Sequence, residues 1–113
     1  MDKSHPGAPA LTPAMHHILL ALLRGDLHGY AIMQEIEKIT DGSMRLGPGT
    51  LYTNLPKLVD AKLVEESAHR DDSDDERRRY YRLTSTGRAA VLEETRRLHR
   101  LVKYAGRHAR LEA

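Results

Sequence analysis

Cysteine, phenylalanine and tryptophan are all absent from this 113-residue chain, and aromatic residues make up only 4% of it. Without cysteine there can be no disulfide framework and no thiolate metal site, which suits a reducing compartment. Long apolar runs are missing too. The longest, Ala14 to Leu23, is interrupted by His16 and His17 and is about half of what a bilayer span requires. The first residues, MDKSHPGAPA, lack the charged, apolar and cleavage regions of a secretory signal, so we expect a cytoplasmic protein. Enzyme signatures are likewise lacking: there is no G-x-S-x-G, no glycine-rich phosphate loop and no HExxH. A chain this short has little room for an enclosed active site. We therefore expect no enzyme, and no cofactor.

The formal net charge of +2 is unevenly spread. Residues 1–76 carry 7 Lys and Arg against 13 Asp and Glu, whereas residues 77–113 carry 11 against 3. A basic last third suggests a polyanionic partner, or else a solvated helix face.

The organisation follows from the spacing of apolar and breaker residues. Residues 1–11, with Pro6, Gly7 and Pro9, read as a mobile arm. Thr12 and Pro13 start a helix, the first as a cap and the second in the first turn, where its missing N–H costs nothing. Met15, Ile18, Leu19 and Leu22 recur at helical spacing, and Leu20, Ala21 and Leu23 make the helix apolar almost all round, hence central; Gly25 ends it. A second helix follows Gly29, with Ile32, Ile36 and Ile39 inward, and closes at Asp41-Gly42. A third begins at Gly47-Pro48 and buries Leu51, Leu55, Leu58 and Val59. Two short extended segments come next, Leu63 to Ser67 and Arg78 to Leu83, with Tyr81 and Leu83 on one face. Three helices followed by a two-stranded wing define a winged helix-turn-helix, mainly α with a small β-wing, over residues 12–83.

Residues 84–113 form a last helix. Val91, Thr95, Leu98, Val102, Ala105 and Ala109 are spaced four, three, four, three, four, flanked by Leu92 and Leu101. A helix of about 25 residues rises nearly 38 Å, more than a small domain covers by itself. It could pack back on its own domain; its length favours dimerisation through Val91, Thr95, Leu98, Val102 and Ala105.

The segment LGPGTLYTNLPKL, Leu46 to Leu58, leaves Thr50, Thr53, Asn54 and Lys57 on an exposed face. Asn can bond adenine bidentately, Thr can meet bases or the thymine methyl, and Lys can reach guanine or phosphate. The same residues would also suit a solvated surface helix. Pro56 removes the hydrogen bond to the Tyr52 carbonyl and should kink this helix. Beside the wing, Arg77, Arg78 and Arg79 can reach phosphates, though alternation sends Arg78 to the other face. The five carboxylates between Arg70 and Arg77 should be repelled by phosphate. Asp72-Ser73-Asp74 lacks the glycine and terminal glutamate of a calcium loop. Of the seven histidines, adjacent His16 and His17 diverge, and His99 and His108 are too far apart to share a metal. No metal site is expected within one chain.

Taken together, LHGYAI at Leu27 to Ile32, LGPGTLYTNL at Leu46 to Leu55, the LV at Leu63 to Val64 and RRRYYRLTSTG at Arg77 to Gly87 make the chain similar to the PadR family of transcriptional regulators. It resembles the short members with a single C-terminal helix. The resemblance implies a sequence-specific, homodimeric DNA-binding regulator, a repressor on a pseudo-palindromic operator. It adds Tyr52 to the DNA-facing residues and gives Tyr30 a supporting or phosphate-touching role. It also implies a small-molecule effector between the dimer helices, for which Leu98, Leu101 and Tyr104 are the candidate pocket. The competing reading is a winged-helix module that docks on a protein and never touches DNA.

Overall fold

The computed structural model describes residues 11–68 and 78–109. Arg77, the acidic wing segment and most of the N-terminal arm lie outside the described residues. Within them run α1 (Pro13–Leu22), β1 (Leu27–His28), α2 (Gly29–Ile39), α3 (Pro48–Asp60), β2 (Val64–Ser67), β3 (Tyr80–Leu83) and α4 (Ser85–Ala109).

α1 starts as its sequence dictates: the Thr12 hydroxyl accepts the Met15 N–H at 3.2 Å and Pro13 occupies the first turn. Its buried residues, among them Ile18, Leu19, Ala21 and Leu22, face α2, α3, α4 and β3, which makes it the central helix. α2 is capped by His28, whose Nδ1 accepts the Ala31 N–H at 3.3 Å. It ends where Asp41 and Gly42 turn to positive φ, letting the Gly42 N–H reach the Glu37 carbonyl at 2.8 Å. Ile32 and Ile36 are fully buried, but Ile39 is 46% exposed. The expected inward stripe therefore stops one turn early, since Ile39 is the last residue of the helix and overhangs the core.

Leu51, Leu55 and Leu58 bury α3 against the same core. The helix runs on through Pro56 to Asp60, with Pro56 on its exposed side. The three strands form an antiparallel sheet in the order β1-β3-β2, with Val64 opposite Leu83 and Leu27 opposite Tyr81. β1 is two residues long and no periodicity announces it. Tyr81 and Leu83 turn to the aliphatic core, while Tyr80 is buried on the other face, edge-on to the His28 ring at 5.2 Å.

Thr84 joins the wing to α4. Its hydroxyl accepts the Gly87 N–H at 3.0 Å and donates to the Lys62 carbonyl at 2.6 Å. Gly87 lies so close to the Leu63 carbonyl that a Cβ would collide with it. This glycine fixes the angle at which the long helix leaves the domain.

Candidate nucleic-acid interface

Because α3 buries its leucines, its remaining faces are presented outward. Thr50, Tyr52, Thr53 and Lys57 are exposed there, while Asn54 is half-buried. The Asn54 side-chain amide donates to the Thr50 carbonyl at 2.9 Å, one turn back on its own helix. This bond uses one of the two amide N–H donors, and the bidentate adenine contact expected of Asn54 needs only the other together with Oδ1. The side chains of Thr50, Thr53 and Lys57 make no hydrogen bond among the described residues.

Tyr52 projects sideways from α3. Its phenol lies over the Cα of Gly29, in space that any larger residue would fill. That contact seats α3 against the start of α2 and brings Tyr52 beside Tyr30, which is 62% exposed. Arg78 and Arg79, at the foot of β3, close the other side. These four residues line one open cleft of about 320 Å³, floored by Gly29 and Tyr81. Residues from three separate stretches of sequence, each a candidate alone, are therefore neighbours.

The electrostatics of the cleft are partly self-neutralised. The Arg79 guanidinium donates to Glu66 on β2 at 2.8 Å, and this hydrogen bond holds its pKa above the usual arginine value. Arg78 turns the other way, toward His28 Nε2 at 3.4 Å. The split expected from strand alternation is present for this pair. Burial pushes the Tyr81 phenol up, with the Glu66 carboxylate adding to the effect. Three contributors escaped the sequence reading. Arg82 pairs with Glu65 at 2.9 Å, Glu66 masks Arg79, and Gly29 receives Tyr52. Cross-strand charge alternation could have pointed to the first two; nothing local pointed to the third.

The seam expected along α4 divides in two. Val91 is completely buried in the chain's own core. The Thr95 hydroxyl bonds the Val91 carbonyl at 2.8 Å and His16 of α1 at 3.2 Å. Val91 therefore belongs to intrachain packing, whereas Thr95, though tied to α1 through His16, remains exposed. Beyond them Leu98 and Ala105 are half-buried, and Leu101, Val102 and Tyr104 are more than half exposed. Tyr104 stacks on His108 with ring centroids 4.4 Å apart. Among the described residues no His, Asp and Glu side chains converge in a group that could hold a metal. Nor is any described helix long and apolar enough to cross a membrane.

Residues 18–93 match the model of the transcriptional regulator PadR-like family. The chain belongs to this family. Its members are regulators of transcription and not enzymes. The chain is 38% identical over 88 residues to the transcriptional regulator Rv3488 of Mycobacterium tuberculosis, covering 77% of each. A PadR-like transcriptional regulator from Bacillus cereus shares its fold with a TM-score of 0.71 at 18% identity, covering 86% of this chain and 91% of that one. The Bacillus subtilis PadR in complex with operator DNA has a TM-score of 0.60 at 22% identity, over 71% of this chain and 45% of that chain. At these identities the two structural likenesses establish the winged helix-turn-helix fold.

Proposed function

We propose that this PadR-like protein is a sequence-specific DNA-binding repressor that sits as a homodimer on a pseudo-palindromic operator in the cytoplasm. One observation carries the reading: the exposed face of α3 shares a cleft edge with Tyr30, Arg78 and Arg79. A helix that enters the major groove thereby lies beside groups suited to the flanking phosphates. Thr50, Thr53 and Lys57 read base edges, Asn54 joins them through its second amide N–H and Oδ1, and Tyr30, Tyr52, Arg77, Arg78 and Arg79 serve the backbone. That a Bacillus subtilis relative of the same fold is known bound to operator DNA supports this assignment.

Leu98, Leu101, Val102 and Ala105 supply the dimer surface, because the second half of α4 carries apolar side chains that its own domain leaves uncovered. Two recognition helices set about 34 Å apart would match one turn of duplex. Tyr104, with Leu98 and Leu101, would line an effector pocket completed by the second copy. Titrating the protein into a labelled duplex from its own promoter, beside a scrambled duplex, tests the reading by anisotropy at low and moderate salt. Tight, salt-sensitive binding that prefers the promoter is expected. No binding to either duplex at low salt overturns it in favour of a module that docks on protein.

A further inference from the structure

The basic last third of the sequence is not accounted for by the recognition helix and wing. Along α4, Arg96, Arg100, Lys103 and Arg107 recur at spacings of four, three and four. At 3.6 residues per turn they fall on successive turns of one face, a stripe about 16 Å long. All four are exposed. Leu98, Val102 and Ala105 lie about half a turn round the helix, so the stripe points away from the apolar seam.

Nothing among the described residues neutralises it. The carboxylates of α4 are Glu93 and Glu94, both before the stripe, and Glu94 is held by Arg97 through hydrogen bonds of 3.0 and 2.7 Å. Arg24, Lys38, Arg45, Arg79, Arg82 and Arg97 each pair with a glutamate. By contrast, Arg96, Arg100 and Lys103 make no ion pair among the described residues, and Arg107 leans on the Tyr104 ring at 6.0 Å. Like charges three and four residues apart on a helix repel one another. Such a row is unfavourable for an isolated helix and favourable beside a polyanion.

We propose that this stripe is a second, sequence-independent DNA-binding face, which takes the phosphate backbone of duplex DNA apart from the recognition helix. Three of its four cations are arginines, which pair with phosphate bidentately. Its four positions are all cationic, and the aromatic at its edge, Tyr104, is engaged by Arg107 and His108, unlike the apolar anchors that dominate protein–protein binding. A helix lying in a membrane surface would need its apolar side buried in lipid, yet that side begins with Val91 in the protein core. Such a face raises the local concentration of DNA and, in a dimer with outward stripes, lets one dimer hold two duplexes. The inference does not rest on base reading by α3.

The test uses the full chain and two duplexes, one carrying the operator and one without it. The quadruple variant R96Q, R100Q, K103Q, R107Q alters only exposed positions; circular dichroism and sedimentation establish that it stays folded and keeps the wild-type assembly. On the operator-free duplex we expect its affinity to fall at least tenfold at low salt, and the slope of log affinity against log salt to drop by about three. Preference for the operator should survive. A Thr50→Ala, Thr53→Ala variant should behave in the opposite way, losing preference while keeping the operator-free binding. If wild type shows no operator preference but its operator-free binding still depends on the stripe, the base-reading assignment fails and this one stands. Identical affinity and slope for the quadruple variant and wild type would overturn the second face. So would stripe-dependent binding to phosphatidylserine vesicles with DNA binding unchanged.

Discussion

The phenol of Tyr52 lies across the Cα of Gly29, so the first residue of α2 and the fifth of α3 interlock with no space for a side chain between them. Leu51 Cδ2 stands 3.3 Å from where a Cβ would be, which closes the other way out. Tyr52 of α3 is thus seated against a glycine at the start of the preceding helix.

Gly29→Ala should therefore push the Tyr52 ring aside, since every atom that a new Cβ would meet belongs to a side chain and the ring is half exposed. The expected cost is about 1 kcal/mol, the low end of the range for overpacking, read as a lower urea midpoint with unchanged slope. Adding Tyr52→Ala should recover most of it by emptying the space. A double variant that unfolds no later than Gly29→Ala alone would mean that Tyr52 is not what the added methyl meets.

Glu66 and Arg79 give a second handle. Both are largely exposed, at 51% and 69% for their side chains, so their ion pair adds little to stability. It does hold an arginine away from phosphate. Glu66→Gln should strengthen binding to every duplex and steepen the salt dependence by about one phosphate contact, whereas Arg79→Gln should do the reverse. Anisotropy titrations on operator and scrambled DNA measure both. A Glu66→Gln protein that binds DNA no better would mean that Arg79 does not reach the backbone.

How legible these relationships are depends on their range along the chain. Thr12 with Pro13, Asp41 with Gly42, and Gly47 with Pro48 declare helix ends through local backbone preferences, and each end lies where they put it. The leucines of α3 declare a buried face by period. The same period runs from Val91 through Ala105 without a break, yet Val91 is buried at home and Val102 is not. Periodicity reports that a face is apolar, not which molecule covers it. β1 is too short to have a period, and the Asn54 bond to Thr50 is a rotamer choice that no spacing encodes. The meeting of Tyr30, Tyr52, Arg78 and Arg79 arises only when three helices and a sheet have packed.

His16 makes stability depend on pH. It is buried on α1, and burial holds its pKa below the ordinary 6.5, outweighing the nearby Glu94 carboxylate; His17 and Arg97 push it down further. The Thr95 hydroxyl proton is directed to the Val91 carbonyl, so its oxygen accepts from His16 Nε2–H and fixes the neutral tautomer. The unfolded chain then binds a proton that the folded chain resists. This contribution to stability is complete above pH 6.5 and is lost as pH falls from there through the lower folded value. Urea midpoints on either side of pH 6.5 should separate in wild type and draw together in His16→Gln. Equal separation in both proteins would exclude His16 as the source.

Pro56 is tolerated inside α3 at an energetic cost. It has no N–H for the Tyr52 carbonyl, and a proline in a helix interior is about 3 kcal/mol less favourable than alanine. Pro56 is exposed, so Pro56→Ala removes little packing and should stabilise the protein by about 1–3 kcal/mol. Thermal melting decides this directly. An unchanged or lower midpoint would indicate that α3 has already relaxed around the missing bond. If operator affinity falls while stability rises, the proline shapes the end of the recognition helix for its groove.

Val102 tests the assembly without touching either the core or the DNA face. It is 54% exposed in the single chain, on the stretch of α4 beyond the last contact of Thr95 with α1. A charge buried in a dimer interface without a partner is strongly destabilising, whereas the same charge on an open helix surface costs very little. Val102→Glu should therefore leave the urea midpoint of the monomeric fold intact, yield a monomer in sedimentation, and weaken operator binding by separating the paired recognition helices. Binding to scrambled DNA should fall far less. A Val102→Glu protein that still sediments as a dimer would place the dimer surface elsewhere, and one that is monomeric but keeps full operator affinity would mean that a single copy reads its site alone.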